Sequence, residues 1–187
     1  MFKKTLLATA ATAALLGPVA AFAAGDMGQG TITFTGSVTE APCSISAADS
    51  NLAINLGQIS KKILNGGANK FGTPVPVEIH LAGCNFEENT DKTLKLSKVN
   101  VTFPGQTSTN GMIPSTGDAT GVAIQMMNAD NTTAVDFSTT GAGGSVATQL
   151  HQGNGNMLSL FARIASTGTA VTAGSVAAKV TYMLDYK

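Results

Sequence analysis

Hydrophobicity in this sequence repeats with a period of two, and that property limits the fold more than any other. At the C-terminus Val176, Ala178, Val180, Tyr182, Leu184 and Tyr186 fall on one side of an extended backbone. Ala177, Lys179, Thr181, Met183, Asp185 and Lys187 fall on the other. Successive side chains of a strand point to opposite faces, so this alternation predicts a half-buried β-strand. The same period runs through Ile32, Phe34, Gly36 and Val38, then Leu52, Ile54 and Leu56, then Val75, Val77, Ile79 and Leu81 opposite Pro76, Glu78 and His80. Leu94 and Leu96, followed by Val99, Val101 and Phe103, predict a further strand or pair, and Met157 to Ile164 another. Gly121 to Met127 is apolar on both faces, as a core strand is. Turn formers such as Gly66-Gly67, Pro104-Gly105, Asn110-Gly111 and Gly153-Asn-Gly155 separate the runs. Short strands at this spacing, with almost no helical periodicity, predict one all-β sandwich domain. Residues 58–73 carry few strand signals and suit a loop or a helical turn.

The first residues predict export. Lys3 and Lys4 precede an apolar run from Leu6 to Leu16, Gly17-Pro18 breaks it, and Ala21-Phe22-Ala23 supplies the small-x-small pattern of a cleavage site. That order predicts a secretory signal peptide over residues 1–23, with cleavage after Ala23. The run is shorter than the roughly 20 apolar residues a membrane-spanning helix needs. Without Lys3 and Lys4, nine basic side chains stand against eleven acidic ones, a net charge of −2. So weak a charge leaves no electrostatic footprint for nucleic acid or anionic lipid.

Cys43 and Cys84 are the only cysteines. In an exported chain an even pair predicts a disulfide. A metal or redox reading lacks support, because there is no C-x-x-C and His80 and His151 stand in no ligand-like spacing. The histidines also argue against an enzyme. His80 belongs to the outward face of its strand, His151 borders a Gly/Asn turn, and neither sits by an evident nucleophile. No cofactor is expected. Asn100-Val-Thr102 and Asn131-Thr-Thr133 match a glycosylation pattern that is too short to weigh, and Met126-Met127 reads as core filling.

The two ends of the predicted mature chain look complementary. Residues 24–30 hold three glycines in seven positions, and the apolar stripe of 31–38 follows them, an arm with little to fix it in place. The last strand needs neighbours, because an unpaired edge invites another chain. Alternation alone leaves open whether 31–38 folds back as an ordinary first strand.

Together these residues carry a resemblance. The signal sequence, Gly30-Thr-Ile-Thr-Phe-Thr-Gly36, Ala41-Pro-Cys43 with Cys84, Asn55-Leu-Gly-Gln58, Gly121-Val-Ala-Ile-Gln125, Phe161-Ala-Arg163, Gly174 and the penultimate Tyr186 resemble chaperone–usher fimbrial (pilin) subunits, above all the major subunits of type 1-like pili. The resemblance implies an incomplete immunoglobulin-like β-sandwich over 40–187, completed by a donor strand from another subunit. Residues 24–39 would be the donor arm, with Ile32, Phe34, Gly36 and Val38 inserted. Gly174, Val176, Ala178, Val180, Tyr182, Leu184 and Tyr186 would form the groove and the end recognised by a chaperone. Strand addition of this kind is a known recognition mode, with pilin donor-strand complementation among its instances. The implied partners are further copies of the chain, a periplasmic chaperone, an outer-membrane usher and, through the assembled fimbria, a host surface receptor. The implied route runs through the periplasm to the cell surface. Two alternatives stay open: a minor adaptor pilin, and a secreted carbohydrate-binding sandwich, which the absence of Trp disfavours.

Overall fold

The computed structural model describes residues 30–67, 69–105, 111–135, 137 and 144–187. The predicted signal peptide lies outside the described residues. The chain divides after Val38 into two units. In the first, residues 30–38 belong to no strand, and Ile32, Phe34 and Val38 are exposed by 77%, 88% and 102%.

The second unit, residues 39–187, is a sandwich of two antiparallel sheets. Its elements are β1 (Ser44–Ile45), α1 (Lys61–Leu64), β2 (Val75–Ala82), β3 (Lys98–Thr102), β4 (Ile113–Pro114), β5 (Val122–Met127), β6 (Thr148–Gln149), β7 (Asn156–Ser166) and β8 (Met183–Tyr186). One sheet has the order β1-β2-β7-β5-β4 and the other β6-β3-β8. β7 is the spine of the first. It pairs with β2 from Val75↔Ala162 to Leu81↔Asn156, and with β5 from Val122↔Ser166 to Met127↔Phe161. One-face patterns, predicted for β2 and β3 and found also in β7, explain the packing. Val77, Ile79 and Leu81 of β2 with Leu158, Leu160 and Ala162 of β7 are buried, as are Val99 and Val101 of β3. These residues form one core with Ile124, Met126 and the tilted pair Phe103–Phe137, whose ring centroids lie 5.0 Å apart. His80 faces outward, as its place in the alternation requires.

Cys43 and Cys84 form the predicted disulfide, with a Cα–Cα distance of 4.1 Å. They flank the short β1–β2 ladder, in which Ser44 pairs with Ala82. Closing a loop of 41 residues restricts the unfolded chain enough to stabilise the fold by about 4 kcal/mol.

The expectations for 58–73 and for the central strands match α1, β2, β3, β5 and β7. Three other predicted strands form no ladder or only part of one. Among the described residues, 31–38 and 52–56 have no strand partner, and in the run 176–186 only Met183–Tyr186 does. Alternation reports which face is buried; a strand also requires a neighbour along its backbone, and here that neighbour is missing.

Candidate functional site, an apolar cleft between two unpaired edges

The two ladder-free segments of the second unit face each other across an open cleft of about 1300 Å³. Residues 50–59 form one wall and residues 171–182 the other. Between them the cleft reaches the core itself: Val77, Ile79, Val101, Ile124, Leu160 and Ala162 line its floor while belonging to the buried cluster. A finished sandwich seals its core with strands on both sides. This one leaves a strand-shaped opening along one edge.

Backbone geometry shows why the second wall is receptive. The Ser175 carbonyl accepts from Ala119 N at 3.0 Å and the Ala177 carbonyl from Thr116 N at 2.7 Å. In an extended chain alternate residues present their N–H and C=O groups to opposite edges. Residues 176, 178 and 180 therefore offer theirs to the cleft side. The wall is also held close on its outer side. A Cβ on Gly174 would come within 2.6 Å of Ala119 N, and one on Gly121, whose φ is +72°, within 2.5 Å of the Ala170 carbonyl oxygen. Glycine at these positions lets the backbone of 169–175 lie directly on that of 118–121.

Of the predicted groove residues, Gly174, Val176, Ala178, Val180 and Tyr182 line the cleft. Leu184 and Tyr186 lie beyond it in β8, opposite Val101 and Val99 of β3 and packed on the core. Tyr182 donates to the Asp49 carbonyl at 2.9 Å. Burial, and then the charge of Asp49, raise its phenol pKa above the usual value. The Asp49 carboxylate in turn accepts from His80 N at 2.6 Å and pairs with His80 Nδ1 at 2.9 Å. Ile32, Phe34, Gly36 and Val38 lie in the other unit.

Sequence reasoning missed the first wall. Leu52, Ile54 and Leu56 read as an ordinary strand, and the signal that could have marked them was a short alternation ending at Gly57 with no turn to a partner. Asp49 and Asn65, which brace the ends of the cleft, carried no signal in one dimension. Among the described residues no cluster of His, Cys, Asp and Glu is suited to a metal, and no helix is long and apolar enough to cross a membrane.

Comparison with known proteins identifies the fold. The profile of the family described as "Fimbrial protein" matches residues 32–187. The chain is 36% identical to the fimbrial-like protein YbgD of Escherichia coli K12, with 100% of both chains covered. It is 33% identical to long polar fimbria protein A of Salmonella typhimurium LT2, covering 100% of this chain and 98% of that one. Among solved structures it superimposes on a chain of a chaperone–usher pilus whose structure addresses rod uncoiling. The TM-score is 0.66 at 30% identity, covering 86% of this chain and 97% of that one. The open-edged sandwich is thus the incomplete immunoglobulin-like fold of pilins, and its role is structural rather than catalytic. The chain belongs to the fimbrial protein family, as a structural subunit of a chaperone–usher surface fimbria.

Proposed function

We propose that the subunit polymerises by donor-strand exchange, its cleft taking residues 31–38 of the next copy and its own arm filling the cleft of another. One observation carries the reading: a cleft open to the core between two unpaired edges, in a chain whose remaining alternating segment is exposed and unpaired. Ile32, Phe34 and Val38 would then exchange near-complete exposure for burial, at roughly 1.5–3 kcal/mol each. Together with the main-chain hydrogen bonds, this approaches the whole net stability of a domain, about 5–15 kcal/mol.

Gly36 supports the assignment of the arm. A Cβ there would meet nothing within 4 Å, so no contact among the described residues of its own chain requires glycine. The requirement arises where the arm docks, against a cleft floor too close for a side chain. Residues 1–23 act as the signal peptide and 24–39 as the arm of the mature chain. In the periplasm a chaperone strand occupies the cleft first, and an outer-membrane usher exchanges it for the arm of the next subunit. The carbohydrate-binding alternative loses its best candidates, because both tyrosines pack against the core.

The test is the Gly36→Arg variant. Purified wild-type chains are expected to form filaments by electron microscopy, and the variant to stay short while still capping wild-type filaments. Filaments of wild-type length from Gly36→Arg chains alone would refute strand exchange through this segment.

A further inference from the structure

We propose that two side-chain bridges frame the cleft and set the length and register of the strand it accepts. The inference rests on the strand-exchange reading above. At one end the Asn65 amide spans the walls: Oδ1 accepts from Val171 N at 2.7 Å and Nδ2 donates to the Val171 carbonyl at 3.3 Å. A side-chain amide stands there where the peptide group of a neighbouring strand would stand. At the other end Tyr182 donates to the Asp49 carbonyl at 2.9 Å. The lining of the second wall begins at Val171 and ends at Tyr182, the two bridged residues. On the other side Asp49 directly precedes the continuous lining stretch 50–59 and Asn65 directly follows the lining residue Leu64 of α1, with Ile45 alone lining the cleft before Asp49.

Both anchors are themselves held. The Asp49 carboxylate, buried, is fixed to His80 of β2 through its backbone N–H and its ring. Asn65 caps α1, its backbone N–H donating to the Lys61 carbonyl at 2.8 Å. Each bridge occupies main-chain groups that an incoming strand needs for its ladder: the N–H and C=O of Val171, and the C=O of Asp49. A paired strand therefore stops at each bridge. The free window is residues 172–181, about ten residues or ~33 Å at the rise of a strand, and residues 30–39 have that length.

Register follows from the same frame. A one-residue slip turns the apolar stripe out of the cleft and is excluded by burial. A two-residue slip keeps the alternation of Ile32, Phe34, Gly36 and Val38 but brings Phe34 or Val38 to the place where Gly36 docks. The bridges oppose the same slip independently, because one end of a slipped strand would meet groups already bonded. Asn65 and Tyr182 are thus positioning residues for assembly.

The experiment uses the full chain carrying Gly36→Arg, which disables its own arm at a position surrounded by open space. The probe is a synthetic peptide of residues 30–39 lengthened by four threonines at each end. Hydrogen exchange read by fragmentation mass spectrometry counts the protected peptide amides. The parent chain is expected to protect about ten central amides and leave both threonine runs exchanging. Adding Asn65→Ala should extend protection by two or more amides at one end, and adding Tyr182→Phe should do so at the opposite end. This opposed pattern is one that mere loss of stability does not produce. An identical protected span in all three chains, or protected threonines in the parent, would overturn the inference while leaving strand exchange standing. No binding of the peptide by the parent would overturn both.

Discussion

On the proposed strand exchange, the glycine at position 36 answers to a contact outside its own chain. Glycine is retained where φ is positive or where a backbone passes too close for a Cβ. Gly174 and Gly121 meet the second condition within the chain, against Ala119 and Ala170, whereas Gly36 meets neither. Cys43 is the converse, a residue whose whole role is internal. Its sulfur ties the start of the body to the end of β2, and the cleft leaves the core without the strand that would otherwise share the load. Cys43→Ser should cost about 4 kcal/mol, a large part of the margin of an uncomplemented subunit. Urea unfolding of the purified variant against wild type, both without peptide, is the measurement; equal midpoints would mean the bridge contributes nothing.

Among the elements, β7 and the second wall stand in contrast. β7 is paired along both edges and its inward residues are buried, so it is complete within one chain. Between its bridged ends the wall 171–182 is bonded on its outer edge alone, and its inward side chains Val176, Val180 and Tyr182 are half-buried against the core. A substitution in the wall should therefore act on the assembled state far more than on the free one. Val180→Asp leaves a carboxylate at an open cleft in the free subunit, where water solvates it. Once a strand covers the cleft, that charge is buried without a partner. Binding of the peptide 30–39 should weaken tenfold or more, equivalent to about 1.4 kcal/mol, with little change in the melt of the free chain. Fluorescence anisotropy titration decides it, and an unchanged affinity would remove residue 180 from the site.

For the whole molecule, the proposed exchange, in which an open sandwich takes the arm of the next copy, makes a head-to-tail interface that does not close on itself and so builds a filament. Stability then becomes a property of the polymer. A ligand that binds only the folded state stabilises it by about 2.7 kcal/mol at a hundred times its dissociation constant. For a chain of this size that corresponds to a rise of roughly 5–10 °C in melting temperature. The Gly36→Arg chain mixed with excess peptide 30–39 should show at least this rise by calorimetry. A peptide of the same composition with the alternation scrambled should show none. A rise of equal size with both peptides would mean the gain is nonspecific.

Period-two alternation and turn chemistry were enough to specify an all-β chain, the inward faces of β2 and β3, and the presence of β5 and β7 as strands. The even cysteine pair, in a chain whose first residues predict export, was enough for the disulfide. These are local properties: burial of a face and closure of a loop depend on side-chain type and spacing, which one dimension records. Residues 52–56 and 176–182 carry the same alternation, yet no ladder forms there, because a hydrogen-bonded neighbour is a tertiary fact and no described segment supplies one on the cleft side. The pairing of 50–59 with 171–182 as opposite walls joins segments more than a hundred residues apart, as do the bridges from Asn65 to Val171 and from Tyr182 to Asp49. An asparagine and a tyrosine in a sequence do not announce that they stand in for a strand; only the meeting of the two walls across an open core gives them that role.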